Sequence, residues 1–298
     1  MTRNKHNAIK FSEMEMKMEI VPFFKVICHL AANDSDLRGI CVGFENGDWR
    51  KRQLVEYLIN FIPEFALTYS ELAELSPLNM VKILKQALCN IYKTEKFKNR
   101  GELGEIMLHA ILREGFNTVP VISKIFYKDS PNDTVKGFDA VHVVINGDDL
   151  ELWIGEVKFY SSIHAAIRDV TKEIQEHIQT DYLRQEFLAI TNKIDNNWPH
   201  AEKLKRLLDP NVSLDEVFVR ACIPVLLTYD STVIAKYNKH TDSYLEEIQK
   251  EFERLYMLFL EKIGKKVPLQ IHLFLLPLKT KQELVDCFDE RLKELQKI

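Results

Sequence analysis

The chain has 298 residues, 46% apolar and 28% charged, with only ten glycines and ten prolines, which is the make-up of an ordered globular protein and excludes disordered, collagen-like and low-complexity chains. Forty Lys and Arg against 44 Asp and Glu leave a formal net charge of −4, so no overall cationic field draws nucleic acid, and any such contact is local or shared with a partner. Five scattered cysteines without a C-x-x-C pair, no signal-type apolar stretch in the first residues, and a longest apolar run of about twelve residues (Val267 to Leu278) where roughly twenty cross a bilayer predict a cytoplasmic protein without membrane contact.

In chain order, strict alternation of Met14, Met16, Met18 and Ile20 with charged residues predicts a half-exposed strand, followed by strands over Phe23 to Leu30 and Gly39 to Phe44. Asn46-Gly47 marks a turn, Trp49 to Phe61 has helical spacing with Pro63 as its stop, and a second helix is expected from Leu78 to Tyr92. These elements predict a small N-terminal α/β domain over residues 1–95, closed by the basic stretch Thr94 to Arg100, with a second domain over 96–298. The string Lys93, Lys96, Lys98 and Arg100 reads either as a charged linker or as a nucleic-acid contact.

The second domain opens with a helix over Gly101 to Glu114, then strands over Val119 to Tyr127, Phe138 to Ile145 and Leu150 to Phe159. A helix over Ser162 to Thr180 buries Ile163, Ile167, Val170, Ile174 and Ile178, and the next element is the strand Val217 to Thr228, whose CIPVLLT run is buried on both faces. The order is α-β-β-β-α-β, in an α/β (α+β) fold. A long helix (Thr241 to Ile263), the strand Leu269 to Leu275 and a helix from Lys281 complete the chain.

Asn146-Gly147-Asp148-Asp149 is a hairpin signal between two alternating strands. Pairing Ile145 with Leu150 sets Asp139 opposite Glu156; a tighter Asn-Gly turn makes them diagonal neighbours. In both registers Asp139, Glu156 and Lys158 share a face with Val141, Val143, Leu152 and Ile154. Two carboxylates on so apolar a face need positive charge, which Lys158 supplies in part and a divalent metal completes; a solvent-open structural cluster is the other reading. The preceding helix is apolar around most of its circumference, with one polar line of Glu102, Glu105, His109 and Arg113. That line is either a solvent edge or the wall of a cleft holding Asp139, Glu156 and Lys158.

Gly101-x-x-x-Glu105 on a helix, Gly137-Phe138-Asp139 entering a strand and Glu156-Val157-Lys158 on the next resemble the signature of the PD-(D/E)xK nuclease superfamily, and the element order is similar to that superfamily's restriction-endonuclease-like core. More closely, GELGEIMLHAILREGF, KGFDAVHVVI and ELWIGEVKFY resemble the HamA family, nuclease subunits of the Hachiman anti-phage system, whose usual partner is a superfamily 2 helicase, HamB. The resemblance implies a metal-dependent nuclease acting on DNA, with RNA as the alternative substrate. Asp139, Glu156 and Glu105 would ligate Mg²⁺ or Mn²⁺, with the Val157 carbonyl as a further ligand, and Lys158 would stabilise charge on the scissile phosphate or orient the attacking water. Glu102 is the alternative to Glu105, because Gly101-Glu102 and Gly104-Glu105 both fit the helix motif. Phe138 stands where the superfamily's name has proline.

On the following helix, Arg168 and Lys172 are candidate contacts to a nucleic-acid backbone, or a plain solvated face. No G-x-x-x-x-G-K-[ST] is present, so the chain has no P-loop motor, and neither G-x-G-x-x-G, H-E-x-x-H nor G-x-S-x-G occurs. Two functions are therefore expected to compete: a nuclease effector working with a helicase, and an inactive nuclease-fold module that binds nucleic acid or regulates that helicase.

Overall fold

The computed structural model describes residues 21–32, 35–92, 101–123, 137–147, 149–264 and 267–297. The strand expected over 14–20, the boundary segment 94–100 and the end of the strand expected to reach Tyr127 lie outside them. The first elements are β1 (Lys25–Ala31), β2 (Ser35–Cys41), the short hairpin β3 (Phe44–Glu45) and β4 (Asp48–Trp49), and helices α1 (Lys51–Ile59), α2 (Ile62–Ala66), α3 (Tyr69–Ala73) and α4 (Met80–Tyr92). Asn46 and Gly47 both have positive φ, as the expected tight turn requires. The helix expected ahead of Pro63 ends as α1 at Ile59, and Pro63 itself sits in the first turn of α2, where its missing N–H costs nothing.

Next come α5 (Gly101–Phe116), β5 (Val119–Ser123), β6 (Ala140–Asn146), β7 (Asp149–Phe159) and α6 (Ile163–His177). Three helices then precede the next strand: α7 (Thr180–Lys193), α8 (Ala201–Leu207) and α9 (Leu214–Phe218). Sequence reading assigned no element between Thr180 and Val217, although Leu183, Phe187 and Ile190, all buried, carry helical spacing through α7. The strand expected from Val217 begins only at Ala221, as β8 (Ala221–Asp230), and is followed by α10 (Thr232–Lys236), α11 (Asp242–Ile263), β9 (Gln270–Leu278) and α12 (Lys281–Leu295). Ser162, Thr241 and Thr280 cap α6, α11 and α12 by accepting from backbone N–H groups one turn on.

Among the described residues seven strands form one sheet in the order β1-β2-β9-β8-β7-β6-β5. The pairs β2–β9, β9–β8 and β8–β7 are parallel, while β1–β2, β5–β6 and β6–β7 are antiparallel. The N-terminal segment expected to fold as a separate domain instead completes this sheet, because β2 pairs with β9 from the far end of the chain. One continuous cluster of buried apolar side chains runs from Cys28 to Leu295, so no gap in the core marks a boundary near residue 95. The middle of the sheet is dry: β8 is buried from Ala221 to Tyr229, as a parallel strand covered on both faces must be.

Two glycines show how the faces are assigned. A Cβ on Gly104 of α5 would lie 2.7 Å from Val157 Cγ1 and 2.8 Å from Phe159 Cβ, and one on Gly155 would lie 2.7 Å from Leu108 Cδ2 of α5. Residues 155, 157 and 159 of β7 therefore lie against α5 at a distance that excludes any side chain at these glycines. The alternate positions 156 and 158 turn to the other face, where α6 and α11 pack. The five cysteines are free thiols, and no helix among the described residues is long and apolar enough to cross a membrane.

Candidate active site

The hairpin takes the register of Ile145 opposite Leu150, with Asn146 paired to Asp149. Val141 then faces Ile154 and Val143 faces Leu152, as alternation requires for a buried sheet face. Asp139, just ahead of β6, is fixed on both sides of Glu156. Its N–H donates to the Gly155 carbonyl at 2.8 Å, and its Oδ2 accepts from the Val157 N–H at 2.8 Å. Asp139, Glu156 and Lys158 are all buried, with Glu156 only 1% exposed. They lie within electrostatic range of one another.

The face that carries Glu156 and Lys158 is answered by α6, whose residues four apart match β7 residues two apart because both steps span about 6 Å. His177 Nδ1 meets Glu156 Oε1 at 2.5 Å, the Lys158 ammonium donates to Glu173, and Asp169 bonds Tyr160. His177 is held by stacking on Tyr182, with ring centroids 4.3 Å apart, and by the edge of Phe138 at 5.3 Å. Burial pushes the Glu156 carboxyl up to about 7; Asp139 adds to this, and His177 and Lys158 oppose it. Burial also works against the Lys158 ammonium, but Glu173, Glu156 and Asp139 outweigh it and hold its pKa above the ordinary lysine value. The His177 imidazole is likewise disfavoured by burial as a cation, yet Glu156, Glu173 and Glu186 raise its pKa above the usual histidine value.

One end of β7 opens into a pocket lined by Gly101 and Glu105 of α5, by Asp139, by residues 157 to 160 and by Lys281 of α12. Glu105 and Asp139 thus meet from opposite sides of the sheet end, while Glu156 is turned away toward His177. The polar line of α5 does not stay together: its later members bond α2, with His109 Nε2 3.1 Å from Glu64 Oε2 and Arg113 Nε donating to the same oxygen at 2.9 Å. His109 also contacts His142 Nε2 at 3.2 Å, so this buried network is structural. The cleft expected along the whole line does not form, because α5 packs on the sheet face opposite Glu156 and Lys158 and reaches the pocket only with its first turns. Glu102 is half-buried on α5 and does not line the pocket with Glu105.

Arg168 and Lys172 are not brought to this pocket. Arg168 lines a separate groove with His164 and Lys262 and pairs with Asp169, and Lys172 is exposed beside Glu176. Glu173, His177 and Lys281 are the site residues that sequence reading missed. The first two carried a usable signal, the four-residue step along α6 opposite Glu156-x-Lys158; Lys281 carried none.

Glu105 and Asp139 bring carboxylate oxygens to this pocket, the donor type that suits a hard divalent cation such as Mg²⁺, which is commonly held by one or two carboxylates with water filling the remaining positions. The larger donor set expected, with Glu156 included, is not assembled, and among the described residues no group of three or more His, Cys, Asp or Glu is arranged to hold a metal ion. The sequence matches the family model described as HamA over residues 21–292. No match to a curated protein is found.

Proposed function

The chain belongs to the HamA family, and on that footing we propose that it is a metal-dependent deoxyribonuclease, the effector of an anti-phage defence system of the Hachiman type that works with a superfamily 2 helicase. The observation that carries this reading is the meeting of Glu105, Asp139 and Lys158 in one pocket at the end of β7. The order α5, β5, β6, β7, α6 and, after the three inserted helices α7 to α9, β8 is compatible with a PD-(D/E)xK core and supports it further.

In this reading Glu105 and Asp139 hold Mg²⁺ or Mn²⁺, which when bound supplies Lewis-acid polarisation of a phosphoryl oxygen and a more acidic water. Asp139 is aimed by the Val157 N–H, which fixes its Oδ2. Lys158, kept protonated by its carboxylate neighbours, faces the negative charge that grows on the phosphoryl oxygens in the transition state. Glu156, whose Oε1 is shared with His177, and the Val157 carbonyl remain further ligands in this proposal.

A second reading, a nuclease-fold module that binds nucleic acid or regulates the helicase without turnover, is favoured by one observation: Glu156 and Lys158 are both engaged by α6. Incubating supercoiled plasmid with the chain and Mg²⁺ or Mn²⁺, alone and with its helicase, separates the two. The nuclease reading expects nicking that falls by at least roughly a hundredfold in Lys158→Ala. It also expects Mn²⁺ to raise the thermal midpoint of the wild type and not of Asp139→Ala. No cutting with or without helicase, and a midpoint indifferent to Mn²⁺, supports the module instead.

A further inference from the structure

We infer that Lys281 is a phosphate-binding residue of this pocket, a second cation that grips the backbone of a nucleic acid beside Lys158. Around the start of α12 the neighbouring ammonium groups are already neutralised: Lys279 pairs with Asp48 at 3.1 Å and Lys51 with Glu283 at 3.0 Å. Lys158, across the pocket, is paired with Glu173. Lys281 differs. Among the described residues no carboxylate lies within ion-pair distance of its ammonium, whose contact is the face of Phe159, 4.6 Å from the ring centroid. Asp230, the acidic group that acts on it, spends its Oδ1 on the Lys281 backbone N–H at 2.6 Å.

A half-buried ammonium with no carboxylate in ion-pair distance loses hydration that its neighbours replace only in part, and burial outweighs the attraction of Asp230 and pulls its pKa below the ordinary lysine value. Resting on an aromatic face orients the stem and offsets part of that cost without consuming the charge. An anion arriving in the pocket completes the pairing. Glu105 and Asp139 on the same walls repel a small bare anion, so the group that fits is one that spans several charges and reaches other cations as well, as a phosphodiester backbone does. α12 thereby becomes part of the site, although it lies outside the elements that carry Asp139, Glu156 and Lys158.

The inference deepens the nuclease reading and rests on it for the class of ligand. Its test is binding rather than turnover: affinity for a labelled DNA duplex of about 20 base pairs, in chelator, at salt from about 50 to 200 mM. Each phosphate contact contributes about −0.9 to the slope of log affinity against log salt. Lys281→Met is expected to make the slope shallower by about 0.9 and to weaken binding roughly five- to tenfold at about 0.1 M salt, while Lys281→Arg restores both. An unchanged slope in Lys281→Met overturns the inference, as does a wild type that binds no duplex at the lowest salt. The two proposals fail separately. Metal-dependent plasmid cutting with an unaltered slope removes Lys281 and leaves the nuclease, whereas a shallower slope in a chain that never cuts leaves Lys281 as a contact of a binding module.

Discussion

Replacing Glu156 by Gln removes a buried carboxyl that the fold pushes toward neutrality, and its effect on stability against pH can be worked out in sign and size. The group titrates at about 7 in the folded chain against an ordinary value of 4.5. Between those values the unfolded chain has released a proton that the folded chain keeps. The folded state thus binds more protons there, and stability falls as pH rises. Integrating the two titrations from pH 5.5 to pH 8.0 gives a loss of about 2 kcal/mol assignable to Glu156. For a chain of this size that is a drop of about 3 °C in the thermal midpoint. Gln keeps a hydrogen bond to His177 Nδ1 and cannot ionise, so the variant should lack this part of the pH dependence. The assay is the midpoint of both proteins in chelator at the two pH values, and the quantity compared is the difference of differences. The raised His177 pKa acts in the same direction in the wild type, so the two groups reinforce rather than cancel. Parallel pH profiles for wild type and Glu156→Gln would show that the carboxylate is solvated and that the close packing of α6 on β7 has been misread.

Gly104→Ala should destabilise by about 1–2 kcal/mol in urea unfolding: the new Cβ meets both Val157 Cγ1 at 2.7 Å and Phe159 Cβ at 2.8 Å, which puts the overpacking cost in the upper part of its range, about 2–3 kcal/mol, against a helix-propensity gain of about 1. Gly101→Ala, where a Cβ meets nothing within 4 Å, is the control and should be neutral or slightly stabilising. Glu64→Ala strips His109 and Arg113 of their shared acceptor, and a loss of about 2–3 kcal/mol, smaller than for a fully buried pair because Glu64 is partly exposed, is expected from the same unfolding curves. An unchanged midpoint in that variant would mean that water replaces the carboxylate at no cost.

Much of the central sheet is written in the local sequence. Val141 and Val143 against Leu152 and Ile154 fix the register of β6 on β7, because a slip of one residue would turn the pair on one strand to the opposite face from its partners. The same alternation puts Glu156 and Lys158 on one face, and the unbroken apolar run in β8 shows that it lies in the middle of the sheet. Chain-local patterns do not say which strands become neighbours, so the first two strands read as a separate unit when in fact β2 lies beside β9. That Gly104 of α5 lies close against Val157 and Phe159, which sets α5 on the face away from Glu156 and Lys158, is shown only by the packed structure. Burial has the same character. That Glu156 is sealed against His177, that Lys158 meets Glu173, and that Lys281 comes to the pocket from the last helix are properties of packing in three dimensions. The cost of burying a charge, and so the partner each charge takes, depends on neighbours that the chain supplies from far along its length.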